Sequence, residues 1–413
     1  MKDYKFAIIL GIVVIVLILV AIGMEWSKSG SSKKLSVPYD LVTTFKGDTG
    51  TSRAFTWYTS DSNAAGVLEL VKGQVSSFVE LDVLRVEANS SAIKTDHGTR
   101  GVHKADVTGL DPGTLYSYRV GSGLEGEWSS VAEFTTEEVG LDSVTFINVA
   151  DSQGERANDF KLWGKTLSKA FQTFPEAKFI VHNGDLTENP EDSAGWDQFF
   201  GNVQGLLSGI PLMPVTGNHD EIDDDATDFT SHFNLPDNGA KGYIAGTSYS
   251  FDYGPVHVSV LNTESNLKKQ AEWLKQDLKS TNKEWKIVAM HRPAYGGNSY
   301  KKVEDWTDIF DAYKVDLVLQ GHNHEYSRSY PLRAGKIVPE GENPVGAKKG
   351  TVYVVTNASG GKFNEKKVDQ FYHAVHFQNY KQMFAGISVT KDSLTYQAYD
   401  VDGKMLDEFV LTH

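Results

Sequence analysis

Between residues 144 and 324, a short apolar run ends five times on a polar turn that carries a carboxylate or an imidazole. The run at 144–149 leads into Asp151 of VADSQG, 179–181 into Asp185 of NGDLTE, and 212–215 into Asn218, His219 and Asp220 of TGNHD. The run at 287–290 leads into His291 of AMHRP, and 315–319 into His322 and His324 of GHNH. Short runs that are nearly all apolar and rich in β-branched residues are typical of strands buried on both faces. Helical periodicity at 158–174, 266–280 and 303–313 falls between several of them. The pattern predicts a layered α/β domain with its polar turns collected at the carboxyl ends of strands, where open sheets place their chemistry.

Taken singly, these residues have ordinary readings. Asp185 after Gly184 suits a plain turn, and Asn218 after Gly217 suits a left-handed turn residue. Taken together they supply carboxylates, imidazoles and one amide oxygen, a donor set suited to two borderline metal ions that share a ligand. This points to a hydrolytic metalloenzyme. His182, His232, His257, His373 and His376 fall outside the five blocks and read as satisfied structural histidines. There is no cysteine, so a metal centre here has only nitrogen and oxygen ligands.

The ordered string D-x-Q, GD, GNHD, H-x-P and GHxH resembles the calcineurin-like metallophosphoesterase superfamily, and within it the purple acid phosphatase branch. The likeness extends through YSFDYGPVHVSVLNTE, QAEWLKQDL and GTVYVVTNASGG. It implies a layered β-sandwich catalytic domain flanked by helices, with two metal ions: divalent manganese, iron or zinc, or a mixed pair containing iron. Asp151, Asp185 and His324 would hold the first ion and Asn218, His291 and His322 the second, with Asp185 bridging. A hydroxide formed on the pair would attack phosphorus in line. His219 would act on the substrate without binding metal, and Asp220 would orient its ring.

Two positions depart from the family pattern. Glu188 stands where the purple enzymes have an iron-binding tyrosine, and Gln153 where other members have a histidine. We expect the Gln153 oxygen to complete the first metal's shell, with Glu188 or water as alternatives. The expected activity is hydrolysis of phosphate monoesters. A phosphodiesterase or nucleotidase could use the same centre, and a non-catalytic surface-binding protein is the remaining alternative.

Residues 6–24 are nineteen consecutive apolar residues behind Lys2 and Lys5. As a helix they span a hydrocarbon core of about 30 Å. Residues 1–34 are therefore expected to be an uncleaved membrane anchor and linker, with the catalytic domain extracellular; a cleaved signal peptide and a secreted enzyme form the alternative. An exported chain without cysteine suits a bacterium. Residues 35–137 read as an all-β sandwich, because short alternating runs such as 53–58 and 117–120 are broken by glycine and aspartate turns. Tyr116 and Tyr118 after Leu110-Asp111-Pro112-Gly113-Thr114 resemble the tyrosine corner of fibronectin type III domains, in keeping with the β domain that purple acid phosphatases carry. TTEEVGLDS, residues 135–143, reads as a hinge before a catalytic domain at 141–413. The net charge of −14 argues against a nucleic-acid-binding surface. A phosphoester substrate would need local cations: the metals, with Arg292, Lys301 or Arg328.

Overall fold

The computed structural model describes Tyr4 and residues 35–413, except 243, 339–344 and 347–348. The expected anchor at 6–24 lies outside the described residues. Among the described residues no helix is long and apolar enough to cross a membrane.

The amino-terminal part is a sandwich of two four-stranded sheets. Its strands are β1 (Tyr39–Thr44), β2 (Ser52–Thr59), β3 (Val67–Lys72), β4 (Leu84–Glu87), β5 (Asn89–Thr95), β6 (Gly98–Thr108), β7 (Leu115–Gly121) and β8 (Ala132–Thr135). One sheet runs β1-β2-β6-β5 and the other β4-β3-β7-β8, all antiparallel. Phe55, Trp57, Leu68, Tyr118 and Phe134 fill the space between them. The Asp111 backbone N–H donates to the Tyr116 hydroxyl at 2.9 Å, so the tyrosine corner forms as expected.

Every residue of β2 is buried, although a sandwich strand usually shows one face to water. The reason is that the larger domain covers its other side. There the Tyr58 hydroxyl meets Ser231 at 3.1 Å and its ring packs on His232. Around this contact, Arg100 grips Asp197 with two hydrogen bonds of 2.6 and 2.9 Å. Lys104 donates to the carbonyls of Thr230 and Phe233, and Glu137, in the expected hinge, accepts from the Gly254 N–H at 2.7 Å. Phe45 belongs to the core of the larger domain, against Phe179 and Tyr253.

That domain contains β9 (Ser143–Val149), β10 (Ile180–His182), β11 (Leu212–Pro214), β12 (Tyr249–Tyr253), β13 (Val256–Leu261), β14 (Trp285–Met290), β15 (Leu317–Gln320), β16 (Tyr326–Ser329), β17 (Leu332–Arg333), β18 (Lys336–Ile337), β19 (Val345–Gly346), β20 (Val352–Val355), β21 (His373–Phe377), β22 (Met383–Thr390), β23 (Ser393–Asp400) and β24 (Met405–Thr412). Two seven-stranded sheets result, β11-β10-β9-β22-β23-β24-β19 and β12-β13-β14-β15-β20-β16-β21; β17 and β18 pair as a separate hairpin. Strand parity explains the apolar runs. Ile287, Ala289, Leu317 and Leu319 point into the core between the sheets. Val288, Met290 and Val318 point the other way, beneath Leu274 and Leu278 of the helix Leu267–Ser280 and Trp306 and Phe310 of the helix Glu304–Tyr313. Both faces are dry, and each aliphatic side chain so buried contributes roughly 1.5–3 kcal/mol.

The strands β9, β10 and β11 are parallel, with Val149, His182 and Pro214 level at their ends. In the other sheet β13, β14, β15 and β20 are parallel. The polar turns that follow these strands meet at one place.

Candidate metal centre

Four of the residues brought together there sit in left-handed backbone conformation: Asp151 (φ 51°), Asp185 (φ 55°), His322 (φ 73°) and His324 (φ 52°). This conformation is unusual for residues other than glycine and costs of order 1–3 kcal/mol each. It turns each side chain off the strand end into the gap between the sheets. Glycines beside them make the approach possible, since a Cβ on Gly217 would lie 2.3 Å from Asp185 Oδ1.

Asp185 is central. Its Oδ2 lies 3.1 Å from His291 Nε2 and 3.2 Å from Gln153 Nε2, while its Oδ1 accepts from the His219 backbone N–H at 2.8 Å. His291 Nε2 is also 3.2 Å from Asn218 Oδ1. On the other side Asp151 Oδ1 is 3.3 Å from His324 Nε2, and both its oxygens accept from the His322 N–H at 3.0 Å. His291 and His324 each donate from Nδ1 to a backbone carbonyl, of Asn183 at 2.8 Å and of Lys362 at 2.7 Å. Those bonds fix the tautomer that aims Nε2 inward, as metal-binding histidines require. Asp151, Asp185, Gln153, His291 and His324 are buried; Asn218, His219 and His322 are partly exposed.

The charges are strongly coupled. Burial alone would raise the Asp185 pKa, but the imidazoles of His291 and His219 hold it well below the usual carboxylate range. Burial alone would lower His291, yet Asp185, helped by Asp151 and Glu264, lifts it to about 10. His324 is raised against its burial by Asp151. His322 is pushed down to about 3 by burial and by the positive charges of His291 and Arg292. Cation-seeking carboxylates thus draw a proton onto His291, and a bound cation would replace that proton.

Gln153 supplies an independent test of fit. Its Oε1 is buried without a hydrogen bond, while its Nε2 lies between Asp185 Oδ2 and His324 Nε2, at 3.2 and 3.4 Å. A half-turn of the amide exchanges the two atoms and puts a bare oxygen where those two donors converge. The donor set therefore fits the expected ions.

Three sequence expectations need correction. Asp220 does not orient the His219 ring. Its carboxylate points back into the turn, where Oδ2 accepts from Gly217 and Asp185 N–H at 2.9 and 2.7 Å and Oδ1 from Leu186 N–H at 3.1 Å. Burial and the charge of Asp185 push its pKa up to about 7 against those bonds. The His219 ring is held instead by the Glu188 carbonyl, to which Nδ1 donates at 2.8 Å. Glu188 itself does not turn its carboxylate to the ligands; it pairs with Lys362 at 2.9 and 3.1 Å. Arg328 is consumed by two hydrogen bonds to Asp407. Arg292 does border the centre, 3.2 Å from His322 Nε2, but Glu264 partly neutralises it. Lys301 begins a short 3-10 helix, Lys301–Val303, and is exposed. A cavity of about 270 Å³ lined by Gln153, Arg156, Glu188 and Lys362 adjoins the centre.

Among the histidines outside the five blocks, His182 bonds Ser152 at 2.8 Å and burial pushes it down to about 3. His232 stacks on Trp196, and His257 lies between Asp252 and Asp277.

Residues 38–136 match the purple acid phosphatase N-terminal domain family, and residues 144–326 match the calcineurin-like phosphoesterase family. Acid phosphatase type 7 of Mus musculus is 27% identical over 292 residues, 63% of this chain and 64% of that protein. Its Homo sapiens counterpart is 26% identical over 347 residues, 74% of this chain and 76% of that protein. Among solved structures, purple acid phosphatase PPD1 from yellow lupin seeds shares the fold, with a TM-score of 0.79 at 19% identity, covering 91% of this chain and 74% of its own. The chain thus carries a purple acid phosphatase N-terminal domain in front of a calcineurin-like phosphoesterase domain, the pairing of a metal-dependent phosphatase with a binuclear centre.

Proposed function

We propose that this protein removes phosphate from monoesters outside the cytoplasm, held at a membrane by residues 6–24. The observation that carries the catalytic reading is that Asp185 belongs to two donor groups at once. In each of Asp151-Asp185-His324 and Asp185-His291-His322, the donor atoms lie within 4.8 Å of one another. Asp151, His324, Asp185 and the Gln153 oxygen would hold one ion. Asn218, His291, His322 and the shared Asp185 would hold the other. Such a pair, of manganese, iron or zinc, supplies a water made nucleophilic near neutral pH and neutralises phosphoryl charge.

The remaining work falls to the chain. Asp220 fixes the Asp185 turn through three backbone N–H groups. His219, 27% exposed at its side chain, is pinned at Nδ1 by Glu188, leaving Nε2 for substrate. When His219 is protonated on both nitrogens, Nε2–H donates to the ester oxygen. As water adds to phosphorus and the ester P–O bond breaks, the leaving alkoxide takes that proton. The monoester reading is supported by the relatives named acid phosphatases.

Turnover of p-nitrophenyl phosphate against bis-p-nitrophenyl phosphate tests the substrate class. Preference for the monoester is expected, and preference for the diester would instead establish the phosphodiesterase reading. Failure to hydrolyse either, in protein that binds no metal, would leave the surface-binding alternative. For location, full-length protein is expected to pellet with membranes, and protease added to intact cells is expected to release the catalytic domain. Activity free in the medium with an amino terminus beyond residue 24 would overturn the anchor.

A further inference from the structure

A second group of donors lies on β21 and the loop before it. The pairing of β16 with β21 shifts between Arg328 and Ser329: Ser327 faces His376, Arg328 faces Val375, and Ser329 faces His373. Ala374 is thus the extra residue of a bulge. Residues three apart on a regular strand point to opposite faces, but one inserted residue restores the parity. The rings of His373 and His376 consequently lie together, with centroids 4.1 Å apart.

Asp369 completes the group. Its Oδ1 is 2.7 Å from His376 Nδ1, and Asp369, His373 and His376 each offer a donor atom within 4.8 Å of the other two. On the far side of the His376 ring, Glu325 Oε2 lies 3.2 Å from Nε2, close enough for an ion pair but off the hydrogen-bonding direction. The His376 side chain is 2% exposed and that of Glu325 is fully buried. His376 Nε2, His373 Nε2 and Glu325 Oε1 are all buried without a hydrogen bond. Buried polar atoms left so incompletely satisfied are costly; His376 Nε2 and Glu325 face each other behind the ring, while His373 Nε2 is left without a hydrogen-bonding partner.

We propose that Asp369, His373 and His376 bind a further divalent ion, of the zinc type, separate from the catalytic pair. Two imidazoles and a carboxylate, with the fourth position open to water, match the donors and count that zinc accepts. Glu325 stands behind His376 as a carboxylate that a small rotation of the ring would engage at Nε2, holding the tautomer with Nδ1 free for the ion. The ammonium of Lys366 already rests on the same Asp369 oxygen, and as a partly exposed side chain it can withdraw into solvent when a divalent ion arrives.

The ion would act on the loop that surrounds the catalytic centre. Glu325 follows His324 directly and accepts from the Lys367 N–H at 2.7 Å. The same loop provides the Lys362 carbonyl that aims His324. A site here staples that loop to β21.

The test counts ions. Full-length protein stripped with a chelator and titrated with zinc chloride is expected to bind one equivalent more than the His373→Ala/His376→Ala double variant. The difference of one equivalent is independent of how many ions the catalytic centre takes. Equal zinc content in the two proteins would overturn the proposal. Should the double variant fail to fold, Asp369→Asn, at a 69% exposed side chain, is expected to lose the same equivalent, and unchanged content there would overturn it equally. Glu325→Gln is expected to weaken this site alone by about 10–100-fold.

Discussion

His257 is the clearest place where the fold depends on pH. It sits on β13 with Nδ1 2.7 Å from Asp252 Oδ1 on β12, and Nε2 2.9 Å from Asp277 Oδ2 on the helix Leu267–Ser280. Only the imidazolium carries two N–H donors, so only the charged ring can serve both carboxylates. Burial alone would lower its pKa, but the hydrogen bonds to Asp252 and Asp277 lift it from 6.5 to about 9. At 1.36 kcal/mol per pH unit, that lift is worth about 3 kcal/mol. The folded pKa lies above the unfolded one, so this contribution is complete below pH 6.5 and disappears as pH rises through about 9. Urea unfolding at fixed metal concentration, followed across that window, is expected to show wild type losing about 3 kcal/mol more than His257→Gln. The variant should already be the weaker protein at low pH, because it leaves the half-buried Asp277 with only the hydroxyls of Ser250 and Ser259 and no cation. If the two proteins lose the same stability across the window, His257 is not the group responsible, and the ion-pair reasoning is refuted.

Asp185→Asn is expected to empty or disorder the catalytic centre, whereas His219→Ala should keep its metals and lose about 10²–10⁴ in turnover; metal analysis beside kcat separates the two, and the reverse pattern would reassign the roles. Iron-loaded protein is expected to lack an intense visible charge-transfer band, since Glu188 replaces the tyrosine and pairs with Lys362; a band that survives Glu188→Ala would show that another tyrosine reaches the ion. Tyr116→Phe removes the acceptor of the Asp111 N–H and is expected to cost about 1 kcal/mol in unfolding free energy, with no change in metal content.

The catalytic domain was legible because its signals are local. A strand dry on both faces is written as a nearly all-apolar run, and the donors follow within a few residues of its end, so the turns carrying Asp151, Asp185, Asn218, His291, His322 and His324 could be singled out before the fold was known. What escaped depends on the direction of a side chain within a turn. Asp220 was expected to reach forward to His219, yet the left-handed turn at Asp185 leaves two backbone N–H groups that only a carboxylate from behind can satisfy. His373 and His376 looked unrelated because three-residue spacing separates faces on a regular strand, and the bulge that reunites them leaves no mark in the sequence. The cover over the second face of β2 was also hidden. Its partners, Ser231 and His232, lie more than 170 residues away.

The left-handed backbone at Asp151, Asp185, His322 and His324 bears on how such a centre decays over evolutionary time. At each of these positions glycine would relieve the strain, so stability alone favours losing the donor. Only selection for what the donors hold opposes that drift, because proteins tolerate such strain chiefly where activity needs it. In a lineage that stopped using the centre, these four sites are where replacement would meet least resistance and even raise the melting temperature. This chain retains a carboxylate or an imidazole at all four, the state in which the strain is still being exchanged for chemistry.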